Sequence, residues 1–148
     1  MGRVFFVPLL MLATCSQNDS PPADAVAAAA PAPPVLVENP TRIGECAERT
    51  IAAITDLSNE RVSRKPPKRG TIDPGIYVRY SNKDAQVSHE WDAALAHSKV
   101  GDHVRMCLVE IPRDCPPGDN RGRVYETTNL RTNEVWKMPD DPHMCGGA

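Results

Sequence analysis

No stretch of this sequence is apolar for long enough to cross a lipid bilayer as a helix. The N-terminal apolar run, Val4–Leu12, falls well short of the about 20 residues that a membrane-spanning helix requires. An excess of charge of one sign is also lacking, because 17 basic side chains are nearly balanced by 19 acidic ones, for a formal charge of −2. Proteins that bind nucleic acid usually carry a basic excess. The composition therefore argues against nucleic acid as a partner.

Large aromatic side chains are scarce. Both phenylalanines, Phe5 and Phe6, lie in that first apolar run, and the chain has only two tryptophans, Trp91 and Trp136. A small domain with so few large apolar side chains needs both tryptophans for its core. We therefore expect Trp91 and Trp136 to pack in the core and not to serve as exposed binding anchors.

Recognisable catalytic motifs are missing as well. The sequence has no Gly-x-Ser-x-Gly elbow, no His-Glu-x-x-His zinc helix and no phosphate-binding loop. The run Ser88–Glu90 places a serine, a histidine and a glutamate side by side, but adjacent strand residues point to opposite faces and cannot converge. The four histidines are too widely spaced for a local metal motif, and Cys-x-x-Cys is absent. We therefore expect no enzymatic activity, no metal site and no cofactor.

The N-terminus, in contrast, carries a distinctive pattern. Arg3 is followed by the apolar run and then by small residues, which is the layout of a secretory signal peptide. Leu12-Ala13-Thr14-Cys15 resembles the lipobox of bacterial lipoproteins, with Thr14 where that family usually has Gly, Ala or Ser. The resemblance implies export, removal of residues 1–14 as a signal peptide and acylation of Cys15.

An acylated Cys15 would anchor the protein in a membrane of the bacterial cell envelope. Ser16 favours the outer membrane, facing the periplasm, under enteric-type sorting. Bacterial lipoproteins carry several acyl chains, and each buried methylene contributes about 0.8 kcal/mol, so the resemblance implies permanent attachment. Two alternatives stay open: an ordinary secretory signal with an incidental Cys15, and a buried N-terminal strand of a cytosolic protein.

Residues 15–40 are interpreted as the lipidated cysteine and a tether. The segment is rich in Ala and Pro, and its prolines interrupt any long helix. At about 3 Å per residue, such a spacer could hold a domain up to roughly 75 Å from the bilayer. Val35–Val37 is the part of it best suited to pack on the domain. The remaining residues, 41–148, suffice for one small domain with a modest core.

Hydrophobic periodicity in residues 41–148 predicts an α+β domain. Apolar residues recur at helical spacing over 42–57, which predicts a helix there. Strands are expected over 75–81, 85–89, 103–111, 124–128 and 134–138, with a helical turn or two over 92–97. The strand over 103–111 is apolar on both faces, which is typical of a central strand. The expected fold is one N-terminal helix packed on an antiparallel sheet of about five strands.

Four cysteines fall in this domain, and an even number in a small exported domain implies two disulfides. They are Cys46, Cys107, Cys115 and Cys145, and they allow three connectivities. We favour Cys46–Cys107, because a helix packed on the central strand would bring the two together. We also favour Cys115–Cys145, because both of these cysteines lie in irregular segments where a disulfide would replace regular hydrogen bonding. The main rival pairs Cys107 with Cys115.

The loop over 112–122 is the best candidate for a contact surface. Its prolines and Cys115 stiffen it, and a stiff loop loses little entropy on binding. The candidate partner contacts in it are Asp114, Pro116, Asp119 and Arg121. The alternative is that this loop is a structural crossover without a partner.

A second polar segment, over 60–73, is strongly basic. Its cations are Arg61, Arg64, Lys65, Lys68 and Arg69, with only Glu60 beside them. Such a loop could contact anionic lipid headgroups or anionic envelope polymers. The alternative is an ordinary solvated loop.

The C-terminal part of the chain resembles small exported proteins of proteobacteria to which no activity is assigned. The residues that carry this resemblance are Asn129–Thr132, Trp136, Pro139-Asp140 and His143–Ala148. The resemblance covers only this part of the chain and implies no reaction.

Three functional hypotheses follow. The first is a non-catalytic, membrane-anchored envelope lipoprotein that binds another envelope component or protein. The second is a periplasmic inhibitor or immunity protein that blocks a hydrolase with the 112–122 loop, which requires a rigid, protruding loop. The third is a hydrolase whose site has no recognisable motif, which requires a pocket with converging titratable groups.

Overall fold

The computed structural model describes residues 33–147, and they fold almost entirely as β-sheet. The elements are β1 (Val35–Leu36), β2 (Glu45–Thr55), β3 (Ile76–Tyr80), β4 (Ala85–Ser88), α1 (Ala93–His97), β5 (His103–Glu110), β6 (Val124–Asn129) and β7 (Val135–Pro139). Within these described residues, no helix is long and apolar enough to cross a membrane. The expected α+β fold with an N-terminal helix is therefore wrong.

The strands form one curled sheet in the order β4-β3-β2-β5-β6-β7, and all of these neighbours pair antiparallel. β1 pairs with β2 in parallel, so Val35 and Leu36, within the segment interpreted as a tether, belong to the sheet. The sheet curls far enough to bring β4 and β7, at opposite ends of the order, into contact. Its concave face holds the core.

The predicted helix over 42–57 is replaced by a turn and the long strand β2. Gly44 has a φ of 91°, whereas an α-helix needs a φ near −63°, so no helix can run through this position. From Glu45 onwards the backbone pairs with β5 on one side and, further along, with β3 on the other. Long-range pairing has overridden the local helical pattern.

A β-bulge explains why β2 imitates a helix in sequence. The pairing register shifts between Ile51 and Ala53, which moves the alternation of faces by one residue. Ala47 and Ile51 are buried, and Ile54 packs against the same core beyond the bulge. Their spacings of four and three residues match the rows of an α-helix face. The observed spacing therefore comes from an interrupted strand.

The other elements agree with the sequence predictions. The predicted strands over 75–81, 85–89 and 103–111 correspond to β3, β4 and β5, and the hairpin corresponds to β6 and β7. α1 is a short helix whose N-cap, Asp92, accepts a hydrogen bond from the Leu95 amide. β5 lies in the interior of the sheet order, as predicted for a central strand, although only one of its faces is fully buried.

The core contains side chains from β2, β3, α1, β5 and β7. Its members are Ile51, Ile76, Val78, Tyr80, Ala94, Leu95, Val104, Met106, Trp136 and Met138. Trp136 is fully buried among them, and Trp91 is half-buried at the edge of the cluster. Both tryptophans therefore contribute to core packing, which confirms the prediction made from the scarcity of aromatic residues.

The length of β2 separates the domain into two ends. Its 11 residues span roughly 35 Å at the usual rise of a strand. We call the end with residues 33–44, 111–122 and 140–147 the tether end, because the chain enters the domain there. We call the end with residues 56–75 and 89–102 the far end. Loops at one end are thus held apart from those at the other.

Candidate functional site

The first disulfide, Cys46–Cys107, links two adjacent strands. The two residues lie directly opposite each other in the β2–β5 pairing, with their Cα atoms 3.9 Å apart. The predicted pairing is confirmed, but its predicted cause is wrong, because no helix packs over β5 at this point. Strand register brings the sulfurs together.

Cys115–Cys145, the second disulfide, joins the 112–122 loop to the C-terminal tail. The Cα atoms are 5.3 Å apart and the residues are separated by 30 positions in sequence. Neither cysteine lies in a strand, so this bond supplies a connection that backbone pairing does not. The predicted pairing and its predicted reason both hold.

Two of the candidate contact residues, Asp119 and Arg121, bind each other and the tail. The Arg121 Nε and Nη2 groups donate to the two Asp119 carboxylate oxygens at 3.0 and 2.8 Å. The Gly146 amide also donates to Asp119, at 3.0 Å, and Arg121 reaches the Gly147 carbonyl. Arg121, followed by the Gly146 amide, lowers the pKa of Asp119. This pair therefore serves first to hold the loop against the tail.

Asp114 and Pro116 are exposed on the loop without taking part in the Asp119–Arg121 pair, and Arg121 is itself exposed. Asp114 has a φ of 58°, a left-handed conformation that Asp tolerates better than most residues. The far side of the loop is fixed by Asp140, whose Oδ1 accepts hydrogen bonds from the Gly122 and Arg123 amides at 2.9 and 3.0 Å. Burial raises the pKa of Asp140 despite these bonds. The loop thus presents exposed side chains, Asp114 and Pro116 among them, on a tightly held backbone.

The histidines are distributed over separate parts of the surface. His97 Nδ1 lies 2.9 Å from Glu134, and His143 Nδ1 lies 3.5 Å from Asp141. Ser88 Oγ accepts a hydrogen bond from the Glu90 amide, so this serine serves a local turn. Within residues 33–147, no group of three or more His, Cys, Asp or Glu side chains is arranged to hold a metal ion.

An ion pair between the buried Asp102 and the partly exposed Arg131, which sequence reasoning missed, ties α1 and β5 to the β6–β7 turn. The Arg131 guanidinium donates to both oxygens of Asp102 at 2.7 Å. The Asn129 side chain and the Lys99 amide donate to the same carboxylate. Arg131, the largest influence, lowers the pKa of Asp102. The sequence separation of 29 residues between Asp102 and Arg131 left no local signal for this pairing.

Gln86 forms the second missed network, at the centre of the curled sheet. Its side chain is completely buried. Its Oε1 accepts hydrogen bonds from three side chains on three other strands, namely Tyr80 Oη at 2.6 Å, Thr127 Oγ1 at 2.9 Å and Trp136 Nε1 at 3.0 Å. Its Nε2 donates to the Tyr125 and Met138 carbonyls at 3.2 and 3.0 Å. This one amide therefore connects β4 to β7 and closes the curl.

A basic cleft lies at the far end, between the β2–β3 loop and the C-terminal side of α1. Its volume is about 600 Å³, and three cations stand around it: Arg61, Arg64 and Lys99. Val62, Ser63, Ser98 and Val100 complete its walls, and Ile54, Leu95 and Ala96 form its apolar floor. No carboxylate is among these lining residues. The basic loop noted in the sequence is thus one wall of a concave surface.

Comparison of the chain with known protein families, with characterised proteins and with solved structures finds no match. The proposed lipidation site Cys15, the signal peptide 1–14 and most of the tether lie outside the described residues.

Proposed function

We propose that this protein is a non-catalytic, membrane-anchored lipoprotein of the bacterial cell envelope, whose domain binds another envelope component. The observation that carries the proposal is the presence of two disulfides in the domain that follows an export signal and lipobox. Disulfides form and persist in oxidising compartments such as the periplasm. Cys15 would supply the anchor and residues 33–147 the binding module.

The two ends of the domain offer different binding surfaces. At the tether end, the 112–122 loop exposes Asp114 and Pro116 on a backbone held by Cys115–Cys145. At the far end, the basic cleft exposes cations around an apolar floor. Preformed surfaces of both kinds reduce the ordering entropy that binding must overcome.

Intact-mass measurement of the protein purified from bacterial membranes tests the anchor. We expect a mature chain that begins at Cys15 and carries acyl groups. Cys15→Ser should leave an unprocessed or soluble exported protein, whereas the matched variant Ser16→Asp should keep the acyl mass and shift the protein to the inner membrane of an enteric host. A mature chain that begins elsewhere, without acyl mass, would refute the anchoring proposal.

Capture of the tethered protein with its partners tests the binding role. The full-length protein is recovered from its own envelope after mild cross-linking, and co-purified material is identified by mass spectrometry. A reproducible envelope component, absent when the domain is unfolded by reduction, is expected. Recovery of the protein alone would count against a binding module.

The stapled 112–122 loop favours a second candidate, an inhibitor or immunity protein that acts on a periplasmic hydrolase. The specific observation is that Asp114 and Pro116 are exposed on a loop fixed by both a disulfide and the Asp119–Arg121 pair. Purified full-length protein should then inhibit a hydrolase recovered from the same periplasm. Asp114→Arg should abolish the inhibition, and Asp141→Arg, outside this loop, should not.

A further inference from the structure

We infer that the basic cleft at the far end binds an anionic chain, one that carries carboxylate or phosphate groups on a partly apolar backbone. This inference gives the proposed binding module a site and a ligand class, and so rests on the proposed function. The charges around the cleft are of one sign. Arg61, Arg64 and Lys99 line it, and no acidic side chain does.

The cations of this region have no ion-pair partners within residues 33–147. Elsewhere in the described structure, arginines such as Arg49, Arg105, Arg121 and Arg131 are paired with carboxylates. The far-end cations without a carboxylate partner are Arg61, Arg64, Lys65, Lys68, Arg69 and Lys99. Four other cations, Arg79, Lys83, Arg113 and Arg123, also have no such partner within residues 33–147, but they do not line the cleft. The far-end cations are therefore available to an external anion.

The acidic residues nearby are mostly engaged in holding the backbone. Asp56 accepts hydrogen bonds from the Ser58 and Glu60 amides, and Asp73 from the Gly75 and Trp91 amides. Asp92 caps α1, and Asp102 is paired with Arg131. Glu60 and Glu90 are the exposed acids of the far end, and neither lines the cleft. None of these carboxylates is paired with a cation of the cleft.

The shape and floor of the cleft favour a chain segment over a membrane surface as its ligand. A flat bilayer cannot enter a concave site, whereas a chain segment can reach an apolar floor made of Ile54, Leu95 and Ala96. Val100, on the rim, is 65% exposed and extends this apolar surface outward. The volume is within the usual range of about 300–1,000 Å³ for ligand sites. A partly apolar chain with anionic groups could contact both the cations on the rim and the apolar floor.

The position of the cleft separates it from the tether end of the domain. The chain enters the domain beside Glu45, and the cleft lies beyond Thr55 at the other end of β2. The cleft therefore lies towards the opposite end of β2 from the strand β1, with which the described chain begins. A ligand in the cleft would leave the tether end of the domain free.

Trp91 keeps the basic wall in position and provides a reporter. Its Nε1 donates to the Ser63 carbonyl at 2.8 Å, and its backbone amide donates to Asp73 at 2.9 Å. The wall is therefore formed before a ligand arrives. The other tryptophan, Trp136, is buried in the core, so a change in emission on ligand addition reports on Trp91.

The test uses the full-length protein in a non-ionic detergent, titrated with labelled polyglutamate and with labelled polyphosphate. The cleft variant Arg61→Glu/Arg64→Glu/Lys99→Glu is compared with Arg79→Glu/Lys83→Glu/Arg113→Glu, which makes the same change in net charge at exposed positions outside the cleft. Fluorescence anisotropy gives the Kd, and tryptophan emission reports on the cleft. Circular dichroism and disulfide mapping check that each variant is folded.

We expect wild type and the control variant to bind polyglutamate, whose carboxylates are carried on carbon side chains, more tightly than polyphosphate, which has no apolar groups. The Kd for polyglutamate should be at least about tenfold larger for the cleft variant. Neutral dextran should not bind. Equal weakening in both variants, no binding to polyglutamate, tighter binding to polyphosphate, or binding only to vesicles of anionic phospholipid would overturn the inference. Loss of acylation in the Cys15→Ser protein would leave this binding unchanged, so the anchoring proposal and the ligand proposed for the cleft are tested independently.

Discussion

Single buried polar residues hold this curled sheet together. Gln86 uses both hydrogens of its amide and accepts three hydrogen bonds, so the polar atoms of its side chain are satisfied without water. Two of its donors, Tyr80 and Trp136, belong to the apolar core. Nothing in the alternating sequence of β4 distinguishes such a glutamine from a solvent-exposed one.

Gln86→Leu should lower the free energy of unfolding by about 3 kcal/mol or more, because it leaves the Tyr80 hydroxyl and the Trp136 indole N–H buried without an acceptor. Urea unfolding with both disulfides intact measures the change. The graded control is Thr127→Val, which removes one donor and leaves Gln86 otherwise satisfied, for a loss of about 1 kcal/mol. Equal stabilities of the two variants would contradict the role given to Gln86.

Asp102 should make the protein acid-sensitive. Arg131 lowers the pKa of this carboxyl below its ordinary 3.8, so the folded state favours the ionised form. The stabilisation is complete above the unfolded pKa and is lost as pH falls from about 4 towards the folded value. Urea unfolding between pH 7 and about pH 2 should therefore show a shallower acid decline for Asp102→Asn than for wild type. Parallel curves would show that the pair does not contribute to acid sensitivity.

Among the elements, β2 is the one whose local sequence pattern predicted the wrong secondary structure. The bulge between Ile51 and Ala53 converts an alternating strand into helix-like spacing, and only the pairing with β3 and β5 reveals it. Gly44, and the β-branched residues Thr50, Ile51, Ile54 and Thr55, were signals against a helix. The strands β3 to β7 were predicted from the sequence, although the β5–β6 pairing also shifts register between Leu108 and Glu110, and β1 was not predicted as a strand.

Removal of either disulfide should lower stability, but only removal of Cys115–Cys145 should increase local backbone mobility. The chain-entropy treatment assigns each about 4 kcal/mol, so both double variants should be less stable to urea. Cys115→Ser/Cys145→Ser should in addition speed amide exchange in 112–122 and 140–147, because these segments have no strand pairing to retain them. Cys46→Ala/Cys107→Ala should leave local exchange there unchanged, since β2 and β5 remain hydrogen-bonded. Hydrogen exchange with mass spectrometry distinguishes the two cases.

For the molecule as a whole, separation of its titratable groups underlies the proposal of a non-catalytic role. Single alanine substitutions at His89, His97, His103 and His143 should leave recovery of the envelope partner and any cellular phenotype at wild-type levels, because each histidine has its own surroundings. The charge-reversed cleft variant serves as the comparison that should lose binding. Loss of function from one histidine variant that folds normally would revive the hydrolase hypothesis.

The sequence by itself determined the features that depend on neighbours along the chain. These include the positions of β3 to β7, the helical turn over 92–97 and the use of tryptophan in a core that lacks phenylalanine. Alternation, short local patterns and composition are read over a few residues, so no folded partner is needed to recognise them.

Only the tertiary structure decided which distant residues meet. It made residues 45–55 a strand, set Cys46 opposite Cys107 by register, and joined Asp102 to Arg131. It also brought β4 to β7 through Gln86 and placed Lys99 across a cleft from Arg61 and Arg64. Each of these contacts joins segments far apart in sequence, and the curl of the sheet that creates them is a property of all its strands together.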